Sequence, residues 1–223
     1  MGQRLENRVQ LNEEQKEAKT KIFNVPISVI VGKAGTGKTL LACHTAVTNL
    51  QEKKHNKIII SRPNVEAGDT LGFLKGGVKE KMSPYTYPLE KNFEDIVGVS
   101  AYEKLVADKK IEIIPVGHLR GVTFVDSTVV IDESQNVTRE QLELIIGRLG
   151  KGSQIFFTGD IKQCDLNNNS KNSMTILKEL SEYLSDSEMC YIELTTNHRH
   201  PIIDKVLTFF EENYEKVLKK VAG

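Results

Sequence analysis

Residues 27–39 read Ile27-Ser28-Val29-Ile30-Val31-Gly32-Lys33-Ala34-Gly35-Thr36-Gly37-Lys38-Thr39. An apolar, β-branched run is followed by G-x-x-x-x-G-K-[ST], and a helix-forming stretch, Thr39 to Gln51, comes next. That order of strand, glycine loop and helix is the context a phosphate-binding loop requires. Gly32, Gly35 and Gly37 let successive backbone N–H groups of Lys33, Ala34 and Thr36 turn inward as an anion nest. The helix adds its positive N-terminal end, Lys38 reaches the outer phosphates, and the Thr39 hydroxyl can ligate Mg²⁺.

Working outward, five more short β-branched runs are evident: 57–61, 111–114, 127–132, 153–159 and 190–194. Continuous apolar runs of this length read as strands buried on both faces, and helical stretches at 138–149 and 174–184 alternate with them. The predicted fold class is therefore three-layer α/β with a mostly parallel central sheet. The segment 62–110 breaks the alternation. Pro63, Gly68, Gly72, Gly76, Gly77, Pro84 and Pro88 lead us to expect an irregular insertion there, with helix resuming near Leu89. An N-terminal helix is expected within 1–25, and 202–223 reads as an amphipathic helix with a solvated charged face.

Composition sets bounds. The chain has 223 residues, 39% hydrophobic and 27% charged, consistent with one globular domain. Thirty basic and thirty acidic side chains cancel, so a polyanion would have to be met by a local patch rather than by the overall field. Three scattered cysteines, Cys43, Cys164 and Cys190, provide neither a disulfide framework nor metal-ligand spacing. No apolar run is long enough to cross a bilayer, and the first ten residues lack the apolar core of a signal peptide. A cytoplasmic protein is expected.

Further chemistry lies at other strand ends. Asp132 and Glu133 close the run STVVID-E, where acids point into the ligand crevice of a parallel sheet. Asp132 suits Mg²⁺, directly or through water; Glu133 suits the polarisation of a water in line with a γ-phosphate. Gln163, after Gly159-Asp160, is a candidate sensor of the γ-phosphate, although Gly-Asp is also ordinary turn chemistry. Arg199, in Asn197-His198-Arg199-His200-Pro201, could stabilise developing phosphoryl charge. Arg62, Lys75, Lys79, Lys81 and Tyr85 are candidate contacts for single-stranded RNA or DNA, a cationic groove with an aromatic platform. A solvated loop is the alternative for that group.

Taken in order, these motifs resemble the PhoH-like family of P-loop ATPases, relatives of superfamily 1 helicases. The resemblance runs from about Leu11 to Pro201. Leu11-Asn12-Glu13-Glu14-Gln15 looks like an adenine-reading Q motif, implying that Gln15 binds the base. Ser61 to Gly68, Leu71-Gly72-Phe73-Leu74, Leu119-Arg120-Gly121, Ile131 to Asn136, Arg148-Leu149-Gly150 and Thr158-Gly159-Asp160 also match. Ser134 stands where Ala is usual, and Val122 where a second Arg is expected, which weakens the reading of that loop as a basic clamp.

The resemblance implies a RecA-like domain that uses ATP and Mg²⁺, with RNA or DNA as partner. It implies no ribonuclease activity, since no room is evident for the nuclease domain some relatives carry. Similar short chains occur in bacteriophages, which would make the compartment a host cytoplasm. An ATP-dependent protein-binding switch that never touches nucleic acid is the competing function. A small-molecule kinase has less need of a water-polarising glutamate, and no N-K-x-D guanine-reading tetrapeptide is present. One P-loop in one domain also leads us to expect a homo-oligomeric ring, by analogy a hexamer, with Arg199 reaching either a neighbour's nucleotide or its own.

Overall fold

In the computed structural model, residues 5, 7–63, 78–161 and 173–221 are described; for 78–85, 204, 211 and 214–221 the description covers backbone only. The elements are α1 (Glu13–Ile22), β1 (Ile27–Gly32), α2 (Lys38–Gln51), β2 (Lys57–Ser61), α3 (Val78–Val97), α4 (Val99–Ala107) and β3 (Ile111–Ile113). They continue with β4 (Ser127–Ile131), α5 (Arg139–Ile146), β5 (Gln154–Gly159), α6 (Ser173–Tyr183), β6 (Met189–Leu194) and α7 (Ile202–Val221). Six strands form one sheet in the order β3-β2-β4-β5-β1-β6, and every described pairing is parallel.

Alternation along the strands divides the core into two layers. Ile30, Ile58, Ile60, Val130 and Phe156 face one side, where Ile22, Leu41, Ala46, Phe93 and Ile96 cover them. Val29, Val31, Ile59, Val129, Ile131, Ile155 and Phe157 face the other, against Leu142, Ile145, Met174 and Leu177. Helices on both faces are why the strands read as continuous apolar runs. Each large side chain here contributes roughly 1.5–3 kcal/mol by leaving water.

The expected irregular segment 62–110 needs correcting over 78–107, which forms α3 and α4. Proline inside a helix removes a donor and clashes with the preceding turn, which is why Pro84 and Pro88 read as breakers. Packing outweighs that penalty: Leu89, Phe93, Ile96 and Val97 recur at helical spacing and are almost fully buried. Phe93 also stacks on Tyr102 of α4, with ring centroids 6.2 Å apart. Residues 64–77 lie outside the described residues, as does Lys75 among them. Lys79, Lys81 and Tyr85 fall on α3 where side chains are not described.

No helix among the described residues is long and apolar enough to cross a membrane. The α7 helix leaves Ile202, Val206, Leu207, Phe209 and Phe210 each more than 40% exposed.

Candidate nucleotide site

At the carboxyl edge of the sheet, β1 ends in the loop Gly32–Gly37 and α2 begins at Lys38. Gly35 and Gly37 have φ of +91° and +79°, a left-handed conformation that a side chain would strain. Contact reinforces the requirement. A Cβ on Gly35 would stand 2.7 Å from the Arg199 Cγ, and one on Gly37 would run into the Gln15 amide. The side chains of Arg199 and Gln15 thus pack directly on the glycine loop, in the space side chains at these two positions would need.

Lys38 Nζ donates to Gly32 O at 2.7 Å and to Lys33 O at 3.0 Å, drawing the ammonium over the loop. Burial lowers its pKa below the ordinary lysine value, opposed by the negative charges of Asp160, Glu133 and Asp132. Asp132 follows β4 and is 5% exposed. Its Oδ1 accepts hydrogen bonds from Thr39 Oγ1 and Thr158 Oγ1, each at 2.7 Å. Three elements, α2, β4 and β5, therefore meet on one carboxylate oxygen.

Glu133 is turned differently. Its backbone has φ +51° and ψ +43°, uncommon for a residue with a side chain. A short 3₁₀ turn, Ser134–Asn136, holds it there, with Asn136 N donating to Glu133 O at 3.0 Å. The Ser134 hydroxyl donates to Ile131 O at 2.7 Å, so the unusual serine is absorbed by a local backbone bond. The carboxylate of Glu133 takes a 2.6 Å hydrogen bond from Gln135 Nε2 on one oxygen and a 3.3 Å ion pair with Arg62 on the other. Gln135 Oε1 in turn accepts from Asp160 N at 3.1 Å, tying the ends of β4 and β5 together.

These groups line a cleft of about 380 Å³, with Ala34, Gly35, Gly37, Lys38 and Thr39 on one wall and Asp132, Glu133, Gly159 and Asp160 on another. Asn92 of α3 and Arg199 complete it. Arg199 thus lies at the cleft of its own chain. The cause is local bonding: His198 N donates to Gly35 O at 3.0 Å, and Arg199 N to Asn197 Oδ1 at 2.9 Å.

Gln15 is placed behind the loop rather than beside the open cleft. Asn12 caps α1, Gln15 Oε1 accepts from Asn12 N at 3.2 Å, and Gln15 Nε2 donates to Thr36 O at 3.3 Å. Both ends of its amide are engaged, and the residue is 3% exposed. Gln163 lies outside the described residues. Sequence reasoning gave no role to Asn92, Gln135, Asp160 or Asn197. For Asp160, the position one residue past a buried strand was the usable signal; for the others the contacts are tertiary and leave none.

The cleft suits a nucleotide with a hard divalent cation. Backbone N–H groups of a glycine loop at a helix N-terminus match phosphate, and the paired oxygens of Thr39 and Asp132 are the donor type Mg²⁺ prefers, with phosphates supplying the rest of its shell. Among the described residues no three His, Cys, Asp or Glu side chains cluster as a metal site.

A glycine loop between a central parallel strand and a helix, with an acid at the end of a nearby strand, defines a P-loop NTPase with a RecA-like core. A family model described as PhoH-like protein matches residues 9–211. The chain belongs to that family. It is 40% identical over 182 residues to the PhoH-like protein of Bacillus subtilis (strain 168), a match covering 82% of this chain and 57% of the relative. Protein PhoH of Escherichia coli (strain K12) is 38% identical over 137 residues, covering 60% and 39%. The chain spans about half the length of the curated relatives it matches. Among solved structures, the Sulfolobus solfataricus SWI2/SNF2 ATPase core in complex with dsDNA resembles it with a TM-score of 0.50 at 15% identity, over 86% of this chain and 46% of that one. That likeness concerns the fold.

Proposed function

We propose that the protein hydrolyses ATP in this cleft and couples hydrolysis to binding or remodelling single-stranded RNA or DNA. The observation that carries the hydrolytic part is the gathering of Lys38, Thr39, Asp132 and Glu133 around one cleft. Lys38 would hold the outer phosphates, and Thr39 with Asp132 would hold Mg²⁺, whose charge offsets that of the phosphates. Glu133 is the group that polarises the attacking water, and Arg199 meets charge developing on the transferred phosphoryl group. Gln163 is assigned the γ-phosphate-sensing role on the motif alone.

The nucleic-acid part is supported by Arg62 at the end of β2 beside the cleft and by a fold shared with an ATPase core whose solved structure contains duplex DNA. Phosphate contacts and stacking would make the interaction salt-sensitive and largely blind to sequence. ATP turnover measured with and without poly-U and single-stranded DNA tests it. Turnover that neither strand alters would favour the protein-binding switch, and no turnover with Mg²⁺ and ATP would overturn the hydrolytic reading. A homo-oligomeric ring is proposed on the separate ground that one P-loop domain supplies only one wall of a closed ATP site. Light scattering in Mg²⁺ and ATP tests the ring, and a fully active monomer would end it.

A further inference from the structure

Glu133 is the group on which the hydrolytic reading turns, yet both of its oxygens are engaged, one by Gln135 Nε2 at 2.6 Å and the other by Arg62 at 3.3 Å. A carboxylate oxygen engaged by a guanidinium is not free to accept a hydrogen bond from an attacking water. The two holders differ. Gln135 is 1% exposed and anchored by Asp160 N, so it is part of the scaffold. Arg62 immediately follows β2, its side chain is 29% exposed, and the facing Glu133 side chain is 37% exposed.

We propose that Arg62 restrains Glu133, and that a backbone phosphate of a single-stranded polynucleotide releases the restraint by taking the guanidinium for itself. The inference rests on the reading of the cleft as an ATPase. A partly exposed ion pair is weak, whereas arginine binds a phosphate through two parallel N–H donors. Exchange between the two is therefore within reach of a polyanion. The backbone is arranged to pass the change on without disturbing the cleft: Asp132 N donates to Ser61 O at 2.9 Å, so the ends of β2 and β4 stay joined when the side chains part. Gln135 then keeps Glu133 aimed while one oxygen turns to water. This makes Arg62 a positioning residue that acts through Glu133.

The test is steady-state ATP turnover of the full chain for wild type, Arg62→Ala, Arg62→Gln and Arg62→Lys, each with and without saturating poly-U. Removing the restraint should raise kcat without a strand about two- to five-fold in Arg62→Ala and Arg62→Gln, the range a weak ion pair allows. KM for ATP should stay constant, and poly-U should add nothing further. Arg62→Lys, which keeps the charge, should restore the low unstimulated rate. An unstimulated kcat that is unchanged or lower in folded Arg62→Gln overturns the restraint, as does full stimulation by poly-U in that variant. A raised kcat in the variants with no effect of poly-U on wild type supports the restraint and overturns the polynucleotide as its releasing ligand. Absence of turnover in every variant, wild type included, overturns the ATPase reading and the restraint together.

Discussion

Replacing Thr158 by Val would isolate the hydrogen bond on which the acidic end of the cleft depends. Thr158 is fully buried in β5, and its hydroxyl donates to Asp132 Oδ1 at 2.7 Å. Valine has nearly the same shape and favours a strand, so neither a cavity nor a loss of sheet propensity confuses the result. What disappears is one hydrogen bond to a carboxylate that is 5% exposed. A bond of that kind is worth about 1.5–3 kcal/mol. For a chain of this size each kcal/mol moves the thermal midpoint by about 2–4 °C, so the midpoint should fall by about 3–12 °C. Circular dichroism melting without nucleotide reads that effect. Thr39 Oγ1 would remain as a donor to the same oxygen, so the carboxylate should drift toward it and the Mg²⁺ concentration needed for ATP binding should rise. A midpoint within a degree of wild type, with an unchanged Mg²⁺ requirement, would refute the idea that Thr158 fixes Asp132.

Lys38→Ala should lose ATP affinity at least tenfold by calorimetric titration, whereas Glu133→Gln should bind ATP normally and turn it over at least a hundredfold more slowly, within the usual range for a general base. Gln15→Ala separates two roles: weaker binding of ATP and GTP alike would identify a brace for Thr36 O, while a loss confined to ATP would identify a base contact. Acid should destabilise the fold through two buried histidines. Burial and the charge of Lys19 bring His44 down from 6.5 to about 4, and burial and Lys54 do the same to His55. The unfolded chain then takes up protons at higher pH than the folded one, so stability is complete above about pH 7 and declines as pH falls from about 6.5 to about 4, by on the order of 3 kcal/mol per histidine. Urea unfolding at pH 7 and pH 5 checks this, and the double variant His44→Gln, His55→Gln should show the smaller pH effect.

The sheet was legible because parallel strands covered on both faces must be apolar throughout, and each of the six runs became a strand within one or two residues. Ends were less legible. Residue 153 stays outside β5 because its hydroxyl accepts from Ser127 N at 3.0 Å, a bond no local pattern reveals. The α3 helix was hidden by Pro84 and Pro88, whose local penalty is overridden by burial of Leu89, Phe93 and Ile96. That same helix brings Asn92 to the cleft, so a misjudged element also concealed a lining residue. Lys38, Thr39, Asp132 and Glu133 were readable because strand ends dictate where they point. Gln135 and Asn197 were not, since an amide shows its use only once its two partners are in place.

The position of Arg199 follows from how α1 is tied down. Glu14 accepts from Thr195 N and Oγ1 at 2.8 Å each and from Thr196 N at 3.0 Å. Slight burial raises its pKa, but these donors outweigh that and bring it down to about 2. One residue further along, Gln15 grips the P-loop, and Asn12 Nδ2 donates to His198 Nε2 at 2.9 Å. The first turns of α1 thus hold both the glycine loop and the approach to Arg199, fixing one relative to the other. Moving the 198–199 backbone would break its bonds to Gly35 and Asn197 and the His198 bond to Asn12, so at about 1 kcal/mol for each of three hydrogen bonds the segment is held by roughly 3 kcal/mol. The Arg199 side chain takes part in none of the three, and its Cγ and Cδ lie where a side chain on Gly35 would stand. What α1 fixes is therefore the root of the arginine, at the P-loop that carries Lys38, while the guanidinium turns about its own bonds without breaking that frame.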